Sequence, residues 1–211
     1  MTANRMPSVL RHWLWRTVCA ASGGLTVSGR WRTAGGCVVV ANHSSHADSA
    51  VLLAALPPAT RPVIGAAADY WFAVPARRVV ATSLIGVLPV RRSGDGTYAA
   101  LLAAAGPALK AGRTVVIYPE GTRSTDGTIG EFRSGALRLA RDCGVPIVPV
   151  AIAGTADVLP KDGRYSPAPM RVHLGAPLDP HTTSGPQLRA HVLALGGHSE
   201  ADATDRYALA S

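Results

Sequence analysis

Short apolar runs recur along the chain, separated by stretches in which apolar residues return every third or fourth position. The runs at 25–27, 37–41, 63–67, 87–90, 114–118, 147–153 and 170–174 read as strands. Thr114-Val115-Val116-Ile117-Tyr118 is continuous and rich in β-branched residues, as a strand covered on both faces would be. Met170, Val172 and Leu174 alternate with Arg171 and His173, which predicts a half-exposed edge strand. Between the runs, 49–56, 97–111, 134–143 and 186–195 predict helices, with a broken one around 71–82. Pro107 falls inside 97–111 and is expected to kink or split it. Strand and helix alternate throughout, which predicts a single-domain α/β fold around a largely parallel sheet.

The first segment differs from the rest. Pro7 precedes a short amphipathic helix in which Leu10, Trp13, Leu14, Val18 and Ala21 share a face, with Arg5, Arg11, His12 and Arg16 around it. Tryptophan and arginine on such a helix suit a membrane-surface anchor, and equally a helix docked on the core. The chain thus divides into an N-terminal helix (1–22), a main domain (23–195) and a frayed tail (196–211). No run of uncharged apolar residues is long enough to cross a bilayer, and no secretory cleavage pattern follows the first segment.

Composition adds a sign. With 21 Lys+Arg against 13 Asp+Glu the formal charge is +8, which favours anionic partners: phosphates, an anionic membrane face, an acidic carrier protein or nucleic acid. Nearly all of that charge is arginine, which grips phosphate as a bidentate fork. The sequence carries no zinc spacing, helix-turn-helix cue or aromatic-rich RNA-binding strand, so nucleic acid is not the expected partner. Three widely spaced cysteines, Cys19, Cys37 and Cys143, suit a reducing compartment.

Candidate chemistry sits where strands end. Asn42-His43-Ser44-Ser45-His46-Ala47-Asp48 follows one strand and opens a helix, a corner at which α/β sheets expose functional groups. With His43 on the loop and Asp48 in the first helical turn, the carboxylate can reach back to one ring nitrogen. It would fix the tautomer and leave the other nitrogen to take a proton from an alcohol. Asp48 could instead merely cap its helix, and His43, His46 and Asp48 could be metal ligands, although no further Cys/His cluster supports that. Tyr118-Pro119-Glu120-Gly121-Thr122-Arg123-Ser124 follows the strongest strand. Its glycine, hydroxyl and guanidinium would make an anion site, or else an ordinary turn. Gly86-Val87-Leu88-Pro89-Val90-Arg91-Arg92 ends in two arginines, of which Arg92 is a candidate second phosphate ligand. Val145-Pro146-Ile147-Val148-Pro149-Val150 has the character of a pocket wall.

In order and spacing these four blocks resemble the lysophospholipid acyltransferase family, typified by 1-acylglycerol-3-phosphate O-acyltransferase. That family shows N-H-x-x-x-x-D, G-x-I-F-I-x-R, F-P-E-G-T-R-S and V-P-I-V-P-V, and the P-E-G-T-R-S match is verbatim. Phe132-Arg133-Ser134-Gly135 looks like its F-K-x-G segment. The resemblance implies a mixed sheet flanked by helices and a glycerol-phosphate acyltransferase-like fold. It implies transfer of a fatty acyl group from acyl-CoA or acyl-carrier protein to the hydroxyl of a lysophospholipid at a membrane surface, with no metal or organic cofactor. His43 would be the general base and Asp48 its orienter. Glu120, Gly121, Thr122 and Arg123 would hold the acceptor, and Arg92 would add a phosphate contact. The expected location is cytoplasmic, peripheral on the inner face of the cell membrane. The lysine that the family often carries before its second block is missing from the stretch 64–72. A thioester hydrolase and a non-catalytic basic binding module are the competing readings.

Overall fold

A computed structural model describes residues 7–67, 84–90, 96–124, 126–160 and 163–197. The described elements run α1 (Ser8–Ala21), β1 (Leu25–Gly29), β2 (Cys37–Ala41), α2 (Asp48–Ala55), β3 (Val63–Ala67), β4 (Val87–Val90) and α3 (Thr97–Lys110). They continue with β5 (Thr114–Ile117), α4 (Gly135–Cys143), β6 (Ile147–Ala153), the single turn α5 (Thr155–Val158), β7 (Met170–Leu174) and α6 (Gly185–Leu195). The broken helix expected around 71–82, Arg92 and most of the tail lie outside the described residues.

The strands form one sheet in the order β1-β7-β6-β2-β5-β3-β4. Every described pairing is parallel except β6 with β7, so the sheet is mixed and largely parallel. β2 lies at its centre with all five residues buried. Cys37, Val39 and Ala41 face one apolar cluster with α2, while Val38 and Val40 face another with α3 and α4. A strand covered on both faces needs no polar alternation, which explains its unbroken apolar run.

Two expectations need correction. β7 is not an edge strand: it lies between β1 and β6. Its alternation is real, since Met170, Val172 and Leu174 are buried and Arg171 is exposed. Side-chain period reports which face of a strand is covered and carries no information about its hydrogen-bonding edges. Nor does Pro107 split its helix. α3 runs through it to Lys110, and buried Leu101, Ala105, Ala108 and Leu109 hold the helix on the sheet despite the lost N–H.

The first helix docks through a face other than its apolar stripe. Leu10, Trp13, Leu14 and Val18 face outward, while Arg11, Cys19 and half-buried Trp15 face in. The inward groups are held by carbonyl oxygens. Arg11 donates to Ile85 (3.1 Å) and Pro62 (2.5 Å), and the Trp15 indole to Leu84 (3.0 Å). His12 (3.2 Å) and Arg16 (3.4 Å) reach the carbonyls of Leu53 and Ala54. These two lie in the last turn of α2, where carbonyls lack helical partners and a cation is favoured. Burial, with the charge of Arg113 beside it, lowers the Arg11 guanidinium to about 10. No helix among the described residues is long and apolar enough to cross a membrane.

Candidate active site

β2 and β5 are parallel neighbours, so their C-terminal ends open at the same edge of the sheet. Topology thereby joins two blocks that lie more than seventy residues apart. His43 stands two residues beyond the end of β2, and Tyr118 directly follows β5.

Asp48 organises the first loop. It is wholly buried at the start of α2, where the helix dipole favours a carboxylate. Its Oδ2 lies 2.7 Å from His43 Nδ1 and accepts the backbone N–H groups of Ser44 (2.8 Å) and Ser45 (2.9 Å). Its Oδ1 accepts the Thr155 hydroxyl (2.5 Å), donated from the turn after β6. A carboxylate oxygen that already takes two N–H donors is an acceptor for the ring as well. With the ring neutral, the hydrogen then lies on Nδ1 and the lone pair on Nε2. The His43 side chain keeps 21% of its surface exposed, so the ring is supported yet reachable.

The second loop grips the first. Glu120 Oε1 accepts the His43 backbone N–H (2.7 Å), and Oε2 accepts that of Gly130 (3.0 Å). Ser124 N–H donates to the His43 carbonyl (2.8 Å). Burial raises the Glu120 carboxyl above its ordinary value, against the opposing pull of those two N–H donors. The Tyr118 ring stacks on the His43 ring, with centroids 4.1 Å apart and planes 14° from parallel. Gly121 turns the chain at φ +74°, and the Arg133 guanidinium packs where its side chain would be, 2.9 Å from an added Cβ. The positive φ favours glycine there.

His43, Tyr118, Gly121, Arg123 and Arg133 border one cavity together with Leu101, Ile117 and Ala136. Polar and apolar groups thus share its lining. Arg123 Nη1 is buried without a hydrogen-bond partner among the described residues, an expensive state for a guanidinium unless an anion meets it. Thr122 is exposed beside it. Among the described residues no group of three or more His, Cys, Asp or Glu side chains is placed to hold a metal ion.

The structure brings together His43, Asp48, Glu120, Gly121, Thr122 and Arg123; Arg92 lies outside the described residues. The Val145–Val150 block does not join them. Val148 and Val150 belong to β6 in the core, and Val145 and Pro146 line a separate surface cleft with Asp179 and His181. An apolar proline-punctuated run serves a buried parallel strand as well as a pocket wall. Two supporting roles escaped sequence reasoning. Asn42 exchanges two hydrogen bonds with the backbone of Ile152 (2.9 and 2.8 Å) and ties the loop to β6. Thr155 holds Asp48 from 107 residues away, and no local signal marks it.

A family model described as Acyltransferase matches residues 24–153. A 1-acyl-sn-glycerol-3-phosphate acyltransferase, chloroplastic BAT2 of Brassica napus, is 33% identical over 154 residues, covering 67% of this chain and 40% of that protein. A human protein, 1-acyl-sn-glycerol-3-phosphate acyltransferase beta, is 36% identical over 115 residues, covering 54% of this chain and 40% of its own length. The chain therefore spans well under two thirds of these curated relatives. Among solved structures, the 1-acyl-sn-glycerophosphate (LPA) acyltransferase PlsC from Thermotoga maritima superposes with a TM-score of 0.71 at 25% identity. That match covers 97% of this chain and 80% of that one.

Proposed function

The chain belongs to the Acyltransferase family, and from that premise we propose that it moves a fatty acyl group from a thioester to the free hydroxyl of a lysophospholipid such as 1-acylglycerol-3-phosphate. The donor is acyl-CoA or acyl-carrier protein. The observation that carries this reading is the pairing of His43 Nδ1 with buried Asp48 at 2.7 Å, on a ring that borders the same cavity as Arg123.

The chemistry needs no enzyme nucleophile. The acceptor oxygen attacks the thioester carbonyl carbon while its proton passes to His43 Nε2. Asp48 stabilises the imidazolium that forms. The C–S bond then breaks, and the departing thiolate takes that proton, leaving an ester and a free thiol. Arg123 binds the acceptor phosphate. Gly121 and Thr122 shape the cradle, and Glu120 supports it from beneath while holding the His43 backbone. Arg92 is a further phosphate contact on this reading.

The acceptor lives in membranes, and α1 supplies the means of reaching it. Val9, Leu10, Trp13, Leu14 and Val18 form an exposed apolar row on a chain of net charge +8. That combination suits peripheral attachment to an anionic inner membrane face. Sedimentation with anionic vesicles tests this: the wild type should pellet, and a Leu10→Glu/Trp13→Glu variant should stay in solution.

The decisive assay follows thiol release from a long-chain acyl-CoA with and without 1-acylglycerol-3-phosphate, with the lipid product identified by mass spectrometry. Release that requires the lysolipid and yields its diacyl form supports the transferase. Release at equal rate without it means hydrolysis. No turnover with either thioester donor overturns the reading.

A further inference from the structure

The resembled family carries phenylalanine where this chain has Tyr118, whose hydroxyl lies against Ser49. We propose that Tyr118 is a positioning residue for the transfer reaction: its ring fixes the plane in which His43 presents Nε2, and its hydroxyl, tied to Ser49, holds that ring in place. The inference rests on His43 acting as the base proposed above.

One hydrogen bond cannot set the direction of an imidazole. Asp48 holds Nδ1 at 2.7 Å, but the ring can still rock about that contact and sweep Nε2 through an arc. A second ring packed face to face removes that freedom, and Tyr118 lies on the His43 face at 4.1 Å and 14°. The phenol is itself immobilised. It follows directly on β5, precedes Pro119, and its hydroxyl lies 3.1 Å from Ser49 Oγ. Its titration is suppressed accordingly: burial, then the Asp48 charge, pushes the phenol well above its ordinary range, so the hydroxyl stays protonated and available to Ser49.

Ser49 is the residue after Asp48 on α2. Two consecutive residues of one helix therefore hold the two rings, Asp48 at the edge of the imidazole and Ser49 at the tip of the phenol. The stacked pair is clamped to a helix that buries Val51, Leu52, Leu53 and Ala54 in the core. A base mounted in this way keeps its geometry without substrate, and a misplacement of about 1 Å can cost a factor on the order of 10².

The stack and the tether make separable predictions. With the full-length chain, acyl-CoA and 1-acylglycerol-3-phosphate, Tyr118→Leu removes the stack and should lower kcat about 100-fold, with both KM values within about twofold. Tyr118→Phe keeps the stack and should retain most of kcat. Ser49→Ala should cost a few-fold in kcat, and the Ser49→Ala/Tyr118→Phe double variant no more than the larger single effect, since both remove one contact. Proton NMR of the wild type should show the His43 Hε1 resonance, assigned by its loss in His43→Ala, displaced upfield by the Tyr118 ring. The NMR measurement stands even where Tyr118→Leu does not fold. A folded Tyr118→Leu variant at wild-type kcat overturns the inference. So does a loss in Tyr118→Phe as large as in Tyr118→Leu, additive Ser49 and Tyr118 effects, or an undisplaced His43 resonance. The kinetic outcomes require an active wild type; a wild type without transfer activity refutes the enzyme assignment itself.

Discussion

Two loops leave neighbouring parallel strands, each built around a buried or half-buried carboxylate, and they are finished to different degrees. In the loop after β2, Asp48 takes four donors: the His43 ring, two backbone N–H groups and the Thr155 hydroxyl. In the loop after β5, Glu120 takes two backbone N–H groups and is raised toward its neutral form by burial. The carboxylate of the first loop is fully engaged. The second ends in Arg123, whose Nη1 is buried without a hydrogen-bond partner among the described residues. A fully satisfied network is rigid and suits a group that must hold its position. A buried guanidinium nitrogen left without a partner suits a group whose partner arrives from outside. On the proposed function, reaction and recognition fall to different loops joined through the backbone of His43.

Mutations should separate the loops by kinetic signature. The largest effect belongs to the first. His43→Ala should lower kcat on the order of 10³-fold with little change in either KM, read from thiol release. Asp48→Asn keeps the shape but offers an amide where four donors point, so kcat should fall on the order of 10²-fold and the melting temperature should drop as well. A variant that loses stability but keeps kcat would mean that the carboxylate only caps its loop. For the second loop, Arg123→Ala should raise KM for the phosphorylated acceptor about 10- to 100-fold and leave KM for acyl-CoA nearly unchanged. Equal rises in both would dissolve the division between the loops.

Glu120 gives the smallest effect and a pH signature. Its carboxyl is raised in the folded state, so between its unfolded and folded values the native protein binds more protons than the unfolded chain. Its contribution is greatest below the ordinary glutamate range and declines as pH rises through the folded value. Urea melts of wild type and Glu120→Gln between pH 4 and 7 should therefore show the wild type's advantage narrowing with rising pH. An advantage that widens over that range would mean the carboxylate is stabilised as an ion, like an ordinary paired acid.

Much of this molecule is legible from local pattern. The bounds of β2, β3, β4, β6 and β7 coincide with apolar runs, and His43, Asp48 and the 120–123 loop stand out as chemistry at strand ends. Two limits of local pattern share one cause. Apolar spacing on α1 marks a stripe without saying what covers it, and here Arg11, His12 and Trp15 dock the helix through carbonyl groups that no side-chain pattern encodes. The alternation in β7 marks a face and is silent on its edges, so β1 as an outer neighbour was invisible.

The sequence by itself determined the strand and helix segments, the charge and the residue types available for acyl transfer, because each depends on residues within a few positions of one another. Only the tertiary structure decided that β2 and β5 lie side by side, that Thr155 closes on Asp48, and that Tyr118 lies flat on His43. Those contacts join residues separated by 75 to 107 positions, and strand order, which sets them, follows from how all the faces of the sheet are covered at once.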